Sequence, residues 1–241
     1  MHHLLTCGDQ PLPLPPPQPT AKPSADRPLG HGDPITQCHD QPSVDAACTC
    51  LLGSIAAWGA TFQLAAPATC KPVPGAPDAQ LVEIKDTPAD PEAKHGGSAL
   101  VLVAKHGAAW SAVTVVDAQG DIDLTQTPKL GESLTLQAFE PHPTATGSLL
   151  WIQTRSETHE ADMGDHDLDG GVLGTVCTLG AQPSCYAPLK LATWTYTWTP
   201  AKGTCEIAKL SARSASLDAT GVTLQLEHGS DADGIAGRYR L

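Results

Sequence analysis

Aromatic residues make up only 4% of this 241-residue chain and methionine occurs twice. A core must therefore be filled by Ala, Val, Leu and Thr, which is not the composition of a helical bundle. Basic residues are also few. Fourteen Lys and Arg against 26 Asp and Glu give a formal charge of −12, which argues against nucleic acid and anionic lipid as partners, since both require a basic surface. No apolar run approaches the length of a transmembrane helix. There is no Gly-x-Ser-x-Gly elbow, phosphate-binding loop or dinucleotide fingerprint. His159-Glu160 begins a zinc-protease motif, but Met163 stands where its second His is required. The cysteines form no paired Cys-x-x-Cys knuckles, which argues against structural zinc.

Eight cysteines, 22 glycines and 22 prolines are what the chain does contain. Cysteines scattered through loop-like sequence read as disulfides, and disulfides imply an oxidising compartment. Cys177 and Cys185, eight positions apart around Gly180 and Pro183, suit a bond that closes a loop. Export normally needs a leader, and the six residues before Cys7 are too few for one. A leader lying ahead of the given sequence would make Leu4-Leu5-Thr6-Cys7 the end of a lipobox, with Thr6 and Leu5 poor matches and Cys7 a candidate for lipidation. The expected location is the bacterial outer-membrane surface, the periplasm or the extracellular space, with a lipid anchor rather than a transmembrane segment.

Residues 1–37 carry a proline every few positions and few large apolar side chains, so they read as a disordered, partly polyproline II tether. Residues 38–72 read as a Cys-rich helical segment packed on the main domain. Ser43 caps a helix with Ala46, Ala47, Leu51, Leu52, Ile55 and Trp58 at helical spacing, ended by Gly59. Cys48 and Cys50 point to different helix faces and are expected to reach Cys38 and Cys70. From residue 73 to 241, short apolar runs at 81–85, 99–104, 112–116, 122–124, 133–139, 149–155, 172–178, 189–199, 206–210, 222–227 and 237–241 alternate with Gly and Pro turns. That pattern predicts a mainly β fold, an antiparallel β-sandwich.

Between two of those strands, residues 157–169 hold six carboxylates and no Lys or Arg. The stretch reads as an acidic loop. Asp165-x-Asp167-x-Asp169-Gly170 matches the first half of a calcium loop, an oxygen ligand at alternate positions followed by a turn glycine. The second half is missing, because Leu173 and Val176 occupy the ninth and twelfth positions. A Ca²⁺ site here would draw on Asp165, Asp167 and Asp169 with Asp162 and Glu160. The alternative is a solvated loop in which Asp-Gly-Gly turns the chain. Farther on, Trp194-x-Tyr196-x-Trp198 alternates with Thr193, Thr195, Thr197 and Thr199, which sends aromatics to one face of a strand and threonines to the other. Buried, those aromatics fill the core; exposed, they would stack on sugar rings.

Asp162-Met-Gly, Val176-Cys177 with Pro183-Ser-Cys185, and the closing Gly237-Arg-Tyr-Arg-Leu241 resemble a pattern in uncharacterised exported proteins of myxobacteria, over residues 97–241. The resemblance implies an exported, envelope-associated protein and supplies no catalytic or binding residues. The leading expectation is a non-enzymatic surface module that binds a protein or glycan ligand. Its alternatives are a secreted metal-dependent hydrolase using His159, Asp162, Asp165 and His166, and a purely structural envelope protein.

Overall fold

The computed structural model describes the backbone of residues 6–7, 10–11, 14–18, 24–59, 69–73, 76–85, 98–119, 130–144, 147–162 and 165–241, and the side chains of 14–18, 26–54, 71–72, 76–85, 98–117, 134–144, 148–158 and 166–241. The protein is mainly β, with two principal sheets, mostly antiparallel, and one helix among the described residues. In chain order the elements are β1 (Thr6–Cys7), β2 (Gln10–Pro11), β3 (Ser24–Pro28), α1 (Val44–Gly59), β4 (Thr69–Val73), β5 (Ala79–Lys85), β6 (Ser98–His106), β7 (Ala109–Gln119) and β8 (Leu130–Thr144). They continue with β9 (Gly147–Asp162), β10 (Asp165–Leu179), β11 (Ser184–Cys185), β12 (Leu189–Thr199), β13 (Thr204–Asp218), β14 (Gly221–Gly229) and β15 (Gly237–Arg240). One sheet runs β4-β5-β6-β7; the other runs β3-β15-β14-β13-β12-β10-β9-β8, with β11 paired to β10. The expected strand at 122–124 lies outside the described residues. The chain divides into two compact units, one of residues 30–156 and 173–189, the other of residues 1–29, 157–172 and 190–241.

In the first unit, β5 and β6 are buried on both faces, which is why their sequences run apolar without alternation. Leu81, Leu100, Leu102, Val113 and Val116 face one way and meet Leu150, Ile152 and the sulfurs of Cys177 and Cys185. Val82, Ile84, Val101, Val103 and Ala112 face the other way and receive Ala47, Cys48 and Leu51 of α1. Fully burying each of these Leu and Val side chains contributes roughly 1.5–3 kcal/mol before conformational entropy is counted. Ser43 begins α1 as its spacing predicts, its Oγ accepting from the N–H of Ala46 at 3.1 Å. Cys38 bonds to Cys50, 12 positions on, which staples the helix to the segment before it. Cys177 bonds to Cys185 with a Cα–Cα distance of 4.0 Å, and Cys48 and Cys205 are also disulfide-bonded. These bonds suit an oxidising, extracytoplasmic location. No described helix is long and apolar enough to cross a membrane.

The proline-rich stretch is not uniformly a disordered tether. Residues 33–41 line the open edge of β7: Ile35 N–H donates to Val113 O at 2.9 Å, Gln41 and Trp110 exchange bonds of 2.8 and 2.7 Å, and Thr114 Oγ1 donates to Asp33 O at 2.8 Å. Ser24–Pro28 forms β3, parallel to β15, with Arg27 over the ring of Tyr239 at 5.0 Å. An extended, proline-bearing chain needs little rearrangement to become an edge strand, and an edge tolerates the N–H that proline lacks. The same tolerance lets β8 continue through Pro141 and Pro143, where a turn is expected from the sequence.

The second unit is an antiparallel ladder of β12 to β15 with the neighbouring half of β10. Its β13–β14 turn is closed by Asp218, which accepts from the N–H and Oγ1 of Thr220 at 2.8 and 2.7 Å and pairs with Arg238 at 2.8 Å. The guanidinium of Arg238, with Thr220 second, holds this carboxyl well below the usual carboxylate range. A lowered folded value means the contribution is complete above the unfolded carboxylate value near pH 4 and is lost as pH falls below it. In melts from pH 6 to pH 2, the native chain is expected to be more stable than Asp218→Asn at pH 6, with the gap closing in acid. A gap as wide at pH 2 as at pH 6 would contradict this assignment.

Candidate functional site

The described residues of the expected acidic loop are strand. Residues 157–162 end β9 and residues 165–171 begin β10. Asp and Gly have low intrinsic strand preference, so this outcome is set by a partner strand rather than by local sequence. That partner is β12. Thr197 Oγ1 donates to Asp167 Oδ1 at 2.6 Å, and Thr195 Oγ1 donates to Asp169 Oδ1 at 2.5 Å. One position rises as the other falls, the signature of antiparallel neighbours. Next along the threonine strand, Thr193 Oγ1 and Ser211 Oγ of β13 share a hydrogen bond of 2.9 Å.

The result is an ordered polar face on which alternate residues of three strands present carboxylate and hydroxyl groups. Asp167 and Asp169 are exposed, and each accepts one threonine hydroxyl hydrogen bond on Oδ1. Among the described residues, Oδ2 of either carboxylate has no protein donor. Residues two apart on a strand stand about 6.8 Å apart along it. A cation here would be bridged by neighbouring side chains rather than wrapped by a loop.

The opposite face of the same strands is apolar. Trp194 and Tyr196 are buried at 2% and 4% exposure, beside buried Leu168 and Val172. Trp194 and Tyr196 therefore fill a core and are not an exposed platform for sugar rings, while Trp198 at the end of the run is half-buried. Gly170 and Gly171 do not turn the chain. Gly170 lies mid-strand beneath Trp194, and a Cβ there would overlap Cε2 and Cζ2 of the indole. Glycine in a strand interior marks a close approach of this kind.

Asp167 and Asp169 are thus the two predicted ion ligands that the fold sets side by side. The side chains of Glu160, Asp162 and Asp165 lie outside the described residues, as does that of Cys7. His166 is exposed and belongs to the strand face opposite Asp167. Among the described residues, no group of three His, Cys, Asp or Glu is disposed to hold a metal ion. Sequence reading missed that the threonines serve the aspartates. The signal was present, since two alternating polar runs of matching period are what facing strands produce. No family model matches this chain, and no curated protein or solved structure does either.

Proposed function

We propose that this protein is an exported, non-enzymatic β-sandwich binding module that uses the carboxylate and threonine face of β10 and β12 to engage a polar ligand, a protein or a glycan, with Ca²⁺ as a bridging ion. The observation that carries the reading is the fixed Asp167/Thr197 and Asp169/Thr195 rank, exposed and held by hydrogen bonds. Such a surface is pre-organised, and a pre-organised surface loses little side-chain entropy when a partner binds. The disulfides and the resemblance over residues 97–241 fit export. Anchoring through Cys7 belongs to the same reading.

Two carboxylates some 7 Å apart repel by about 0.6 kcal/mol in water, and a bound divalent ion would remove that repulsion. A ligand present at 100 times its dissociation constant adds about 2.7 kcal/mol to the stability of the folded state. Millimolar calcium is therefore expected to raise the melting temperature of the oxidised chain by several degrees relative to chelator. The double variant Asp167→Asn with Asp169→Asn keeps the Oδ1 acceptors and removes both charges. It is expected to melt slightly higher than the native chain in chelator and to ignore calcium. If native chain and variant respond equally to calcium, the bridging ion is not at this face.

A further inference from the structure

We propose that the outer edge of β14 at His228 and Gly229 is an exchangeable docking site for an extended proline-bearing segment, filled by residues 14–18 of the same chain and open to residues 14–18 of a second copy. The site exists because β15 is short. It pairs with β14 from Gly221 to Leu224 and stops there, while β14 continues to pair with β13 as far as Gly229. Beyond Leu224 the far side of β14 has no strand from β15, so its backbone groups need another partner.

Two features aim those groups outward. The register of β14 against β13 shifts between Ala212 and Arg213, which leaves Glu227 as the extra residue of a bulge. Gly229 then adopts φ +75, and a Cβ there would overlap the carbonyl oxygen of Leu210. Its N–H donates to Pro15 O at 3.3 Å, and its carbonyl accepts the Gln18 N–H at 2.9 Å. His228 Nδ1 lies 3.3 Å from the same Pro15 oxygen. Pro16 and Pro17 sit between these contacts, exposed. They have no N–H that would need an acceptor and hold the segment extended, so it loses little entropy on docking.

The attachment is light. A few surface hydrogen bonds contribute about 1 kcal/mol each, so the segment opens locally far more readily than the sheet beneath it. It also leaves space: a cavity of about 430 Å³ remains beside Pro15 and Gln18, walled by Ile207, Lys209 and Asp233. An identical segment from another copy has the same backbone to offer. The tethered segment prevails at low protein concentration because a short tether gives it an effective concentration near the millimolar range.

The test uses the full chain and its Gln18→Pro variant, which loses the N–H that Gly229 accepts while keeping the acceptor edge intact. A labelled peptide copying residues 11–20 is expected to bind the variant at least tenfold more tightly than the native chain, shifting the amide resonances of Gly229 and Ser230. The same peptide carrying Gln18→Pro is expected to lose that binding. At millimolar concentration the native chain should self-associate in sedimentation, and the variant should not. Equal peptide affinity for both chains, or self-association unchanged by Gln18→Pro, would overturn the proposal.

Discussion

Replacing Asp231 by alanine is expected to lower the unfolding free energy by about 3–5 kcal/mol, the usual cost of stranding one half of a buried ion pair. Arg213 has no exposed surface and Asp231 is 6% exposed. Nε and Nη2 of Arg213 donate to Asp231 Oδ1 at 2.9 and 2.6 Å, and Nη1 donates to Lys190 O and Ser211 Oγ at 3.3 Å. The carboxylate also accepts the N–H groups of Ile235 and Ala236 at 3.1 Å, which fixes the turn leading into β15. Alanine removes the carboxylate acceptor of both the guanidinium and the turn, and leaves a guanidinium in the interior with only Lys190 O and Ser211 Oγ as acceptors. Asp231→Asn separates the two roles, since it retains an acceptor for the turn and discards the charge. It is expected to cost less than alanine. The double change Arg213→Met with Asp231→Leu removes both charges and should recover part of the loss. Denaturant unfolding followed by tryptophan fluorescence measures all three, and an alanine variant within 1 kcal/mol of the native chain would show that the pair is not a major support.

The second large effect concerns Gly170 and Trp194. Trp194→Ala is expected to cost about 3–5 kcal/mol, from lost burial and the cavity left behind. Gly170→Ala is expected to cost about 1–3 kcal/mol, because a methyl group there meets the rigid five- and six-membered rings rather than a flexible side-chain end. Neighbours that share one volume do not behave independently. In the double variant the new methyl group occupies space the indole has vacated, so the combined loss should fall short of the sum by at least 1 kcal/mol. Strict additivity in the cycle would mean that the indole does not rest on Gly170.

Much of the β architecture was legible because apolar alternation survives where one face of a strand is buried. The period-two run at residues 193–199 places Trp194 and Tyr196 inside, with threonines on the polar face, as the spacing predicts. The helix after Ser43 was legible from its cap. The acidic stretch was not, because its conformation depends on threonines some 30 positions away and its glycine has two physical meanings. Asp169-Gly170 looks like a turn when read locally; in the sheet it is clearance for an indole. The prolines misled in the same direction, since a residue unable to donate to a ladder is still welcome at its margin. The Arg213–Asp231 pair had no signal at all. Two charges 18 positions apart, with no pattern linking them, become partners only once β13 and the turn after β14 are folded.

The placement of β3 also bears on how the molecule is made. Pro28 lies against Arg240, which follows it by about 210 positions in the chain, and Gln18 lies against Gly229. A ribosome releases the amino terminus first, so these early residues emerge with no surface to receive them. They must wait until β14 and β15 have been made. Residues made early are seated late, and a chain interrupted before β15 leaves β3 without its edge.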